Sequence, residues 1–360
     1  MVTAWRRTVV LGIGLAILGL TGCGSAAPGP APAPAAPAPA ASPAPAPAPQ
    51  AWAAPNLAGK SVRVMFNSSP DPNKVVPVHA LHLLEQWGAK VQIDWGSSSQ
   101  VSIAAITSGQ SDVLSISIQG ALSAVNNGVN LQTFALSQPR QDYVFVSRPN
   151  VPTLADLKGK NVGILDMAGI NSVHARIVLD AAKLTLKDVN IIEAGGQGAR
   201  AAALLAGRLD GTMFGMSNWL KLQKDGYHLL YSYTKDQPNF VDDIWWAKPE
   251  WLKANPEMAQ AMNEALLQSY RWFNDTKNKD AFIKETAALV KGSDDAITAQ
   301  LYDLYRENSM YPANAILSTE ALTFNQKTFV DLKSLPKALP VDTWADFSYA
   351  TKALARVGKQ

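Results

Sequence analysis

Two stretches of the chain lie over one another without a gap at an offset of 98 residues. "KVQIDWGSSSQVSIAAITSGQSDV" (Lys90 to Val113) aligns with "DVNIIEAGGQGARAAALLAGRLDG" (Asp188 to Gly211), and six of the 24 positions are identical: Val91/Val189, Ile93/Ile191, Ala104/Ala202, Ala105/Ala203, Gly109/Gly207 and Asp112/Asp210. Each copy runs from a β-rich segment through a polar loop into an alanine-rich helix. Each closes on a glycine suited to a left-handed helix end and restarts at an Asp. A strand–loop–helix–strand unit used twice restricts the chain to two similar α/β lobes.

The rest of the chain keeps that rhythm. "VRVMF", "KVQID", "DVLSI" and "LQTFALS" read as strands with helices between them, and the pattern restarts at "NVGILD", "DVNIIEA" and "DGTMF". Such alternation predicts a largely parallel, Rossmann-like sheet in each lobe with helices on both faces. The link "SQPRQDYVFVSRPNVPTLADLKGK" and the return "YHLLYSYTKDQPNFVDDIWWAKPEWL" make a two-strand hinge. Beyond Pro249 the pattern turns helical. Met258, Met262, Ala265, Leu266 and Trp272 fall at helical spacing behind an Asn255-Pro256 start, and two or three further helices reach about Arg356. The expected boundaries are 1–22 for a signal peptide, 23–55 for a tether, 56–148 with 249–357 for lobe 1, and 149–248 for lobe 2 with the hinge crossings, the C-terminal helices packing on the lobes.

The first 55 residues cannot add to a core. Arg6 and Arg7 precede the uncharged run Val9 to Leu20, too short to span a bilayer and of the length of a secretory h-region. Leu20-Thr21-Gly22-Cys23 then resembles the lipobox of bacterial lipoproteins, which makes Cys23, the sole cysteine, the expected lipidation site. The Pro/Ala tract after it has no apolar surface to bury. It is an extended spacer rising about 3.1 Å per residue. With one cysteine there is no disulfide and no cysteine zinc site. A net charge of +3 without a basic run excludes nucleic acid as an expected partner. Hydrophobic content of 47% and charged content of 17% suit a globular body with a proper core.

In open α/β sheets, ligands lie beyond the carboxyl ends of the strands. The loops there are "NSSPD" (Asn67, Ser68), "WGSSSQ" (Trp95, Ser97, Ser98, Ser99), "SIQG" (Ser117, Gln119) and "LSQPR" (Ser137) in lobe 1, and "DMAGINS" (Met167, Asn171, Ser172), "AGGQGA" (Gly196, Gln197) and "GMSNW" (Met216, Ser217) in lobe 2. Several open a helix, where free N–H groups and small hydroxyls suit an anion or a carbonyl. Ser97 to Ser99 are expected to face Gly195 to Gln197 across a cleft, and Ser117 to Gln119 to face Gly215 to Ser217. No lysine is expected among the cleft loops. Trp95 is read either as core or as a platform for a flat ring.

"GSSSQ", "ITSGQSDV", "LKGKNVGI", "AGINSVHA", "LLAGRLDG", "WLKANPEM" and "WADFSYATKAL", in that order behind a lipobox, resemble the extracytoplasmic solute-binding lipoproteins of ABC importers. The branch they are most similar to includes sulfonate, taurine and nitrate binders and thiamine-pyrimidine-precursor binders. The resemblance spans Val62 to Leu354. It implies a periplasmic binding protein fold of type II, hinge closure on one small solute, delivery to an ABC permease for import, a monomer, and an extracytoplasmic place on a bacterial membrane. The solute class it implies is a sulfonate- or nitrate-like anion or a small heteroaromatic. A sensory or scaffold lipoprotein on the same fold is the alternative.

No catalytic residue or cofactor is expected. Gly196-x-Gly198-x-x-Ala201 matches a dinucleotide fingerprint formally, yet the ribose-binding acid at the end of the next strand is missing, where Phe214 stands. His79, His82, His174 and His228 have no Asp, Glu or Cys cluster beside them in sequence, so no metal is expected, though His174 lies where a cleft-edge or capping role is open. No nucleophile elbow appears. The pyrimidine-synthase relatives need a cysteine cluster that this chain lacks.

Overall fold

A computed structural model describes Gly29 and residues 52–165, 167 and 170–360. The expected signal peptide and Cys23 lie outside the described residues. Among the described residues, ten strands form two five-stranded sheets. β1 (Ser61–Phe66), β2 (Lys90–Trp95), β3 (Val113–Ser117) and β4 (Gln132–Leu136) precede a first crossing. β5 (Tyr143–Ser147), β6 (Asn161–Ile164), β7 (Asn190–Glu193), β8 (Gly211–Gly215) and β9 (His228–Ser232) follow it, and β10 (Asp243–Ala247) comes after the return. The orders are β2-β1-β3-β10-β4 and β7-β6-β8-β5-β9.

Each sheet is parallel over its first three strands and takes one antiparallel strand in fourth place. Tyr143 on β5 pairs with Gly215, and Asp243 on β10 pairs with Ser117. Both inserted strands shift register midway, between Phe145 and Val146 and between Trp245 and Trp246. The expected lobe boundaries therefore move. β5, expected with lobe 1, pairs in the second sheet, and the end of the return, expected with lobe 2, becomes β10 of the first. The apolar runs "DYVFV" and "DIWWA" are interior strands rather than bare connections, because each fills a hydrogen-bonding gap that the parallel strands leave open. What remains as crossing is 137–142 and 233–242.

The helices are α1 (Val75–Gln86), α2 (Ser99–Ser108), α3 (Ile118–Asn126), α4 (Ile170–Ala181), α5 (Gln197–Leu205), α6 (Met216–Leu222), α7 (Tyr233–Asp236), α8 (Pro249–Ala254), α9 (Pro256–Asn274), α10 (Lys279–Leu289), α11 (Asp295–Glu307), α12 (Thr319–Asp331) and α13 (Ser348–Val357). The internal repeat survives in detail. Asp112 accepts the Arg63 N–H at 2.9 Å, and Asp210 accepts the Asn161 N–H at 2.9 Å, one repeat later. Gly109 and Gly207, at φ of 79° and 74°, end the equivalent helices α2 and α5. Reversal at φ > 0 is what a glycine allows without a Cβ clash.

α9 starts on Asn255 with Pro256 at its first turn and buries Met258, Met262, Ala265 and Leu266 against the first sheet and α1. Full burial of the Met and Leu side chains stabilises by about 1.5–3 kcal/mol each, and of the Ala265 methyl by less. Trp52 donates its Nε1–H to the buried Glu264 at 3.1 Å, so the end of the expected tether is packed on α9. Among the described residues, no helix is long and apolar enough to cross a membrane.

Candidate functional site

The carboxyl ends of both sheets open on one cleft of about 940 Å³. Its walls come first from helix starts. Ser98 caps α2 by accepting the Val101 N–H at 3.3 Å, and Ser117 caps α3 by accepting the Gly120 N–H at 3.3 Å. A Cβ on Gly120 would stand 2.6 Å from Ser99 Oγ, so the close approach of α2 to α3 requires glycine there. One repeat on, Gly196 and Gly215 cap α5 and α6 with no side-chain bond. The first-turn N–H groups of α5 thus lack the local acceptor that Ser98 supplies in α2. Open space surrounds the position a Gly196 Cβ would take.

Asn67, Ser68, Ser97, Ser98, Ser99, Ser117, Gln119, Asn171, Gly196 and Gln197 all line this cleft. Trp95, Ser137, Met167, Ser172, Met216 and Ser217 are not among the lining residues. Trp95 stacks on Phe66, its register partner on β1, with ring centroids 4.7 Å apart. Ser137 is buried and donates to the Asp243 carbonyl at 2.9 Å. Ser172 is buried within α4, and Met167 is exposed outside the cleft. Met216 and Ser217 are buried in the first turn of α6, and the next residue, Asn218, reaches the cleft instead. The pairing of Ser117–Gln119 with Gly215–Ser217 gives way to this one-residue displacement. Gln197 Oε1 explains it, accepting from the Gly215 N–H at 2.8 Å and from Asn218 Nδ2 at 2.9 Å.

The expectation of a cleft without lysine is corrected by Lys74. This buried residue, just ahead of α1, donates from Nζ to Asp243 Oδ2 at 2.7 Å and to Gln138 Oε1 at 2.9 Å. Burial favours its neutral form, but Asp243 and Asp242 more than offset this and hold the ammonium charged. Asp71, Asn73, Tyr143, Arg200, Asp242 and Asp243 line the same cleft and were not singled out in the sequence. Burial, then the charge of Asp243, pushes the Asp242 carboxyl up to about 8, while Lys74 pulls the other way. Burial also raises Asp71. Across the cleft, Arg200 on α5 is buried. Its Nη1 donates to the Gly195 carbonyl at 2.5 Å, and its Nε and Nη2 donate to the Met213 carbonyl at 3.4 and 3.3 Å. Tyr143 stands between these charges, within electrostatic range of Asp242, Arg200, Lys74 and Asp71.

The sequence did hold signals for some of these: one arginine on an otherwise alanine-rich helix, and two adjacent aspartates opening an apolar strand. His174 takes neither role left open for it. It is fully buried among Tyr143, Tyr233 and Phe240, and burial followed by the Arg200 charge pushes it down to about 3. Among the described residues, no group of three or more His, Cys, Asp or Glu is placed to hold a metal ion.

Two mixed sheets of one topology, meeting at a single polar cleft, define the fold of the type II periplasmic binding proteins. The periplasmic aliphatic sulphonate binding protein SsuA of Escherichia coli superposes with a TM-score of 0.66 at 18% identity, over 80% of this chain and 92% of its own. The periplasmic nitrate-binding protein NrtA of Synechocystis superposes at 0.66 and 13% identity, over 84% and 90%. The desulfurization enzyme DszB shares the fold at 0.62 and 17% identity, over 82% and 99%. The chain belongs to the NMT1/THI5-like family, which matches residues 84–278. No curated protein matches its sequence.

Proposed function

We propose that this chain is the solute-binding component of an ABC importer. It takes a small organic solute between its two sheets and presents the closed form to a permease. The observation that carries this reading is the cleft itself, walled from both repeats by helix starts and joined by only two crossings. The family and the solute-binding proteins that share the fold support it. A solute that contacts both walls binds the closed form better than the open one, and only that difference drives closure. No chemistry on the solute is part of this reading. The fold also serves an enzyme, but the chain's sole cysteine is Cys23, ahead of the globular body.

Between the solute classes, the floor of the cleft favours an organic molecule carrying hydrogen-bond donors over a bare oxyanion such as nitrate. Asp71, Asp242 and Asp243 line it, and Lys74 is already engaged. A thermal-shift screen of the mature chain against sulfonates, nitrate, pyrimidines, vitamins and aromatic acids tests this. At least one organic solute is expected to raise the melting temperature, and a screen with no hit sinks the reading. Lipid anchoring through Cys23 belongs to the same proposal. Cys23→Ala is expected to move the protein from the membrane fraction to the soluble one, and unchanged retention counts against the anchor.

A further inference from the structure

Arg200 is a buried cation without an ion-pair partner among the described residues. Among the described residues its hydrogen bonds all go to backbone carbonyls, of Gly195 and Met213. A guanidinium has five N–H donors, and these bonds leave two of them free. An unpaired charge held this deep is costly unless something completes it. The same wall carries the N-terminus of α5, where Gly196 leaves first-turn N–H groups without a side-chain acceptor. The equivalent of Arg200 one repeat earlier is Ser102, whose hydroxyl merely returns to the Ser98 carbonyl at 3.2 Å. The cation therefore belongs to one wall only.

The floor and the opposite wall have the reverse character. Lys74 bonds directly to Asp243 and Gln138, and Asp242 and Asp71 line the cleft with no ion-pair partner among the described residues, though the Lys74 charge reaches both. Asn73, buried and lining the cleft on this side, has an Oδ1 atom with no hydrogen-bond partner among the described residues. Unpaired buried acceptors call for donors.

We propose that the cleft is built for a dipolar solute, with its anionic end on Arg200 and the start of α5, and its cationic or donor end on Asp242 and Asp71. This rests on the reading of the cleft as a solute site and narrows it. It also gives the two ends of the solute to different sides of the cleft, so a molecule with only one charged end loses one set of contacts. Burial, then the Asp243 charge, pushes the Asp242 carboxyl up to about 8 in a setting of Lys74, Asp71, Tyr143 and Gln138, which favours its protonated form at neutral pH. An ammonium group arriving there displaces that proton, so affinity rises with pH towards about 8 and binding releases a proton.

The test is calorimetry and thermal shift on the mature chain. The probes are ω-amino carboxylates and ω-amino sulfonates of increasing length, each beside the alkyl acid and the alkyl amine of the same length. One zwitterion is expected to bind at least about tenfold more tightly than either matched half. Its binding heat is expected to vary with the ionisation enthalpy of the buffer, as proton release requires. Arg200→Gln should weaken the zwitterion and the acid while leaving the amine unchanged, and Asp242→Asn should do the reverse. If Arg200→Gln fails to fold by circular dichroism, Arg200→Lys replaces it, keeping the charge and losing the fork of donors. An alkyl acid that binds as well as its zwitterion overturns the proposal, as does a neutral solute that binds without pH dependence. A silent series beside a hit in the wider screen sinks the dipolar reading and leaves solute binding standing. Silence in both sinks both.

Discussion

At Asp242 the chain buries a carboxylate beside Asp243, with Lys74 as the nearest cation and Gln138 Nε2 as a donor. Its carboxyl titrates near 8 in the folded protein and near 3.9 when unfolded. Between those values the folded state holds a proton that the unfolded state has lost, so stability falls as pH rises through that window and levels off above it. Asp142, on the first crossing, is also raised well above the usual carboxylate range, by burial and then by the charge of Asp71, and adds in the same direction. Asp242→Asn is expected to raise the melting temperature at pH 7 and above, and to flatten its decline between about pH 4 and pH 8. Melting curves across that range check it, and an unchanged slope would exclude Asp242 as a main titrating group. The sequence shows one cause, the neighbouring Asp243, but not the first, which is burial; burial and the added charge of Asp71 depend on residues that the chain order places far away.

On the scale of elements, the repeat was legible and the insertion was not. Strand, loop and helix of both copies stand where the offset of 98 puts them, since α2 starts at Ser99 and α5 at Gln197, and β3 starts at Val113 and β8 at Gly211. Periodicity and helix-ending glycines are local signals, so they survive folding. The fourth-place strands β5 and β10 were hidden because pairing partners distant in sequence decide them. The same reason explains the cleft. The capping loops could be read from their serines and glycines, whereas Lys74, Tyr143 and Arg200 reach it from the lead-in to α1, a strand and a helix that looked like packing. The caps themselves differ between halves, serine in one and glycine in the other. Gly196→Ser is expected to cap α5 and stabilise the fold by a few tenths of a kcal/mol. Its Cβ meets open space. The new hydroxyl takes N–H groups that the solute otherwise uses, so solute affinity should fall as the melting temperature rises. A parallel rise in both would show that the start of α5 is not a contact.

For the whole molecule, the two sheets are covalently joined only through 137–142 and 233–242, and these segments are bonded to one another. Gln141 Nε2 donates to the Val241 carbonyl at 3.0 Å, and Asp242 N donates to the Gln138 carbonyl at 3.3 Å. A paired hinge of this kind allows the sheets to swing while each keeps its own hydrogen bonds. Small-angle scattering is expected to show a smaller radius of gyration once a solute is bound, and an identical value in both states would count against closure. The late return of β10 has one more consequence. β4 joins its sheet only through β10, and β3 keeps one edge unpaired until β10 arrives. A chain still emerging from the ribosome therefore carries the first repeat as an unfinished sheet, with the edges of β3 and β4 unpaired while the whole second repeat is synthesised. An unpaired strand edge is a template for wrong partners. That makes the interval before Asp243–Ala247 appears the stage at which this protein is most exposed to misassembly, and the stage at which a chaperone holding the first repeat open has the most to contribute.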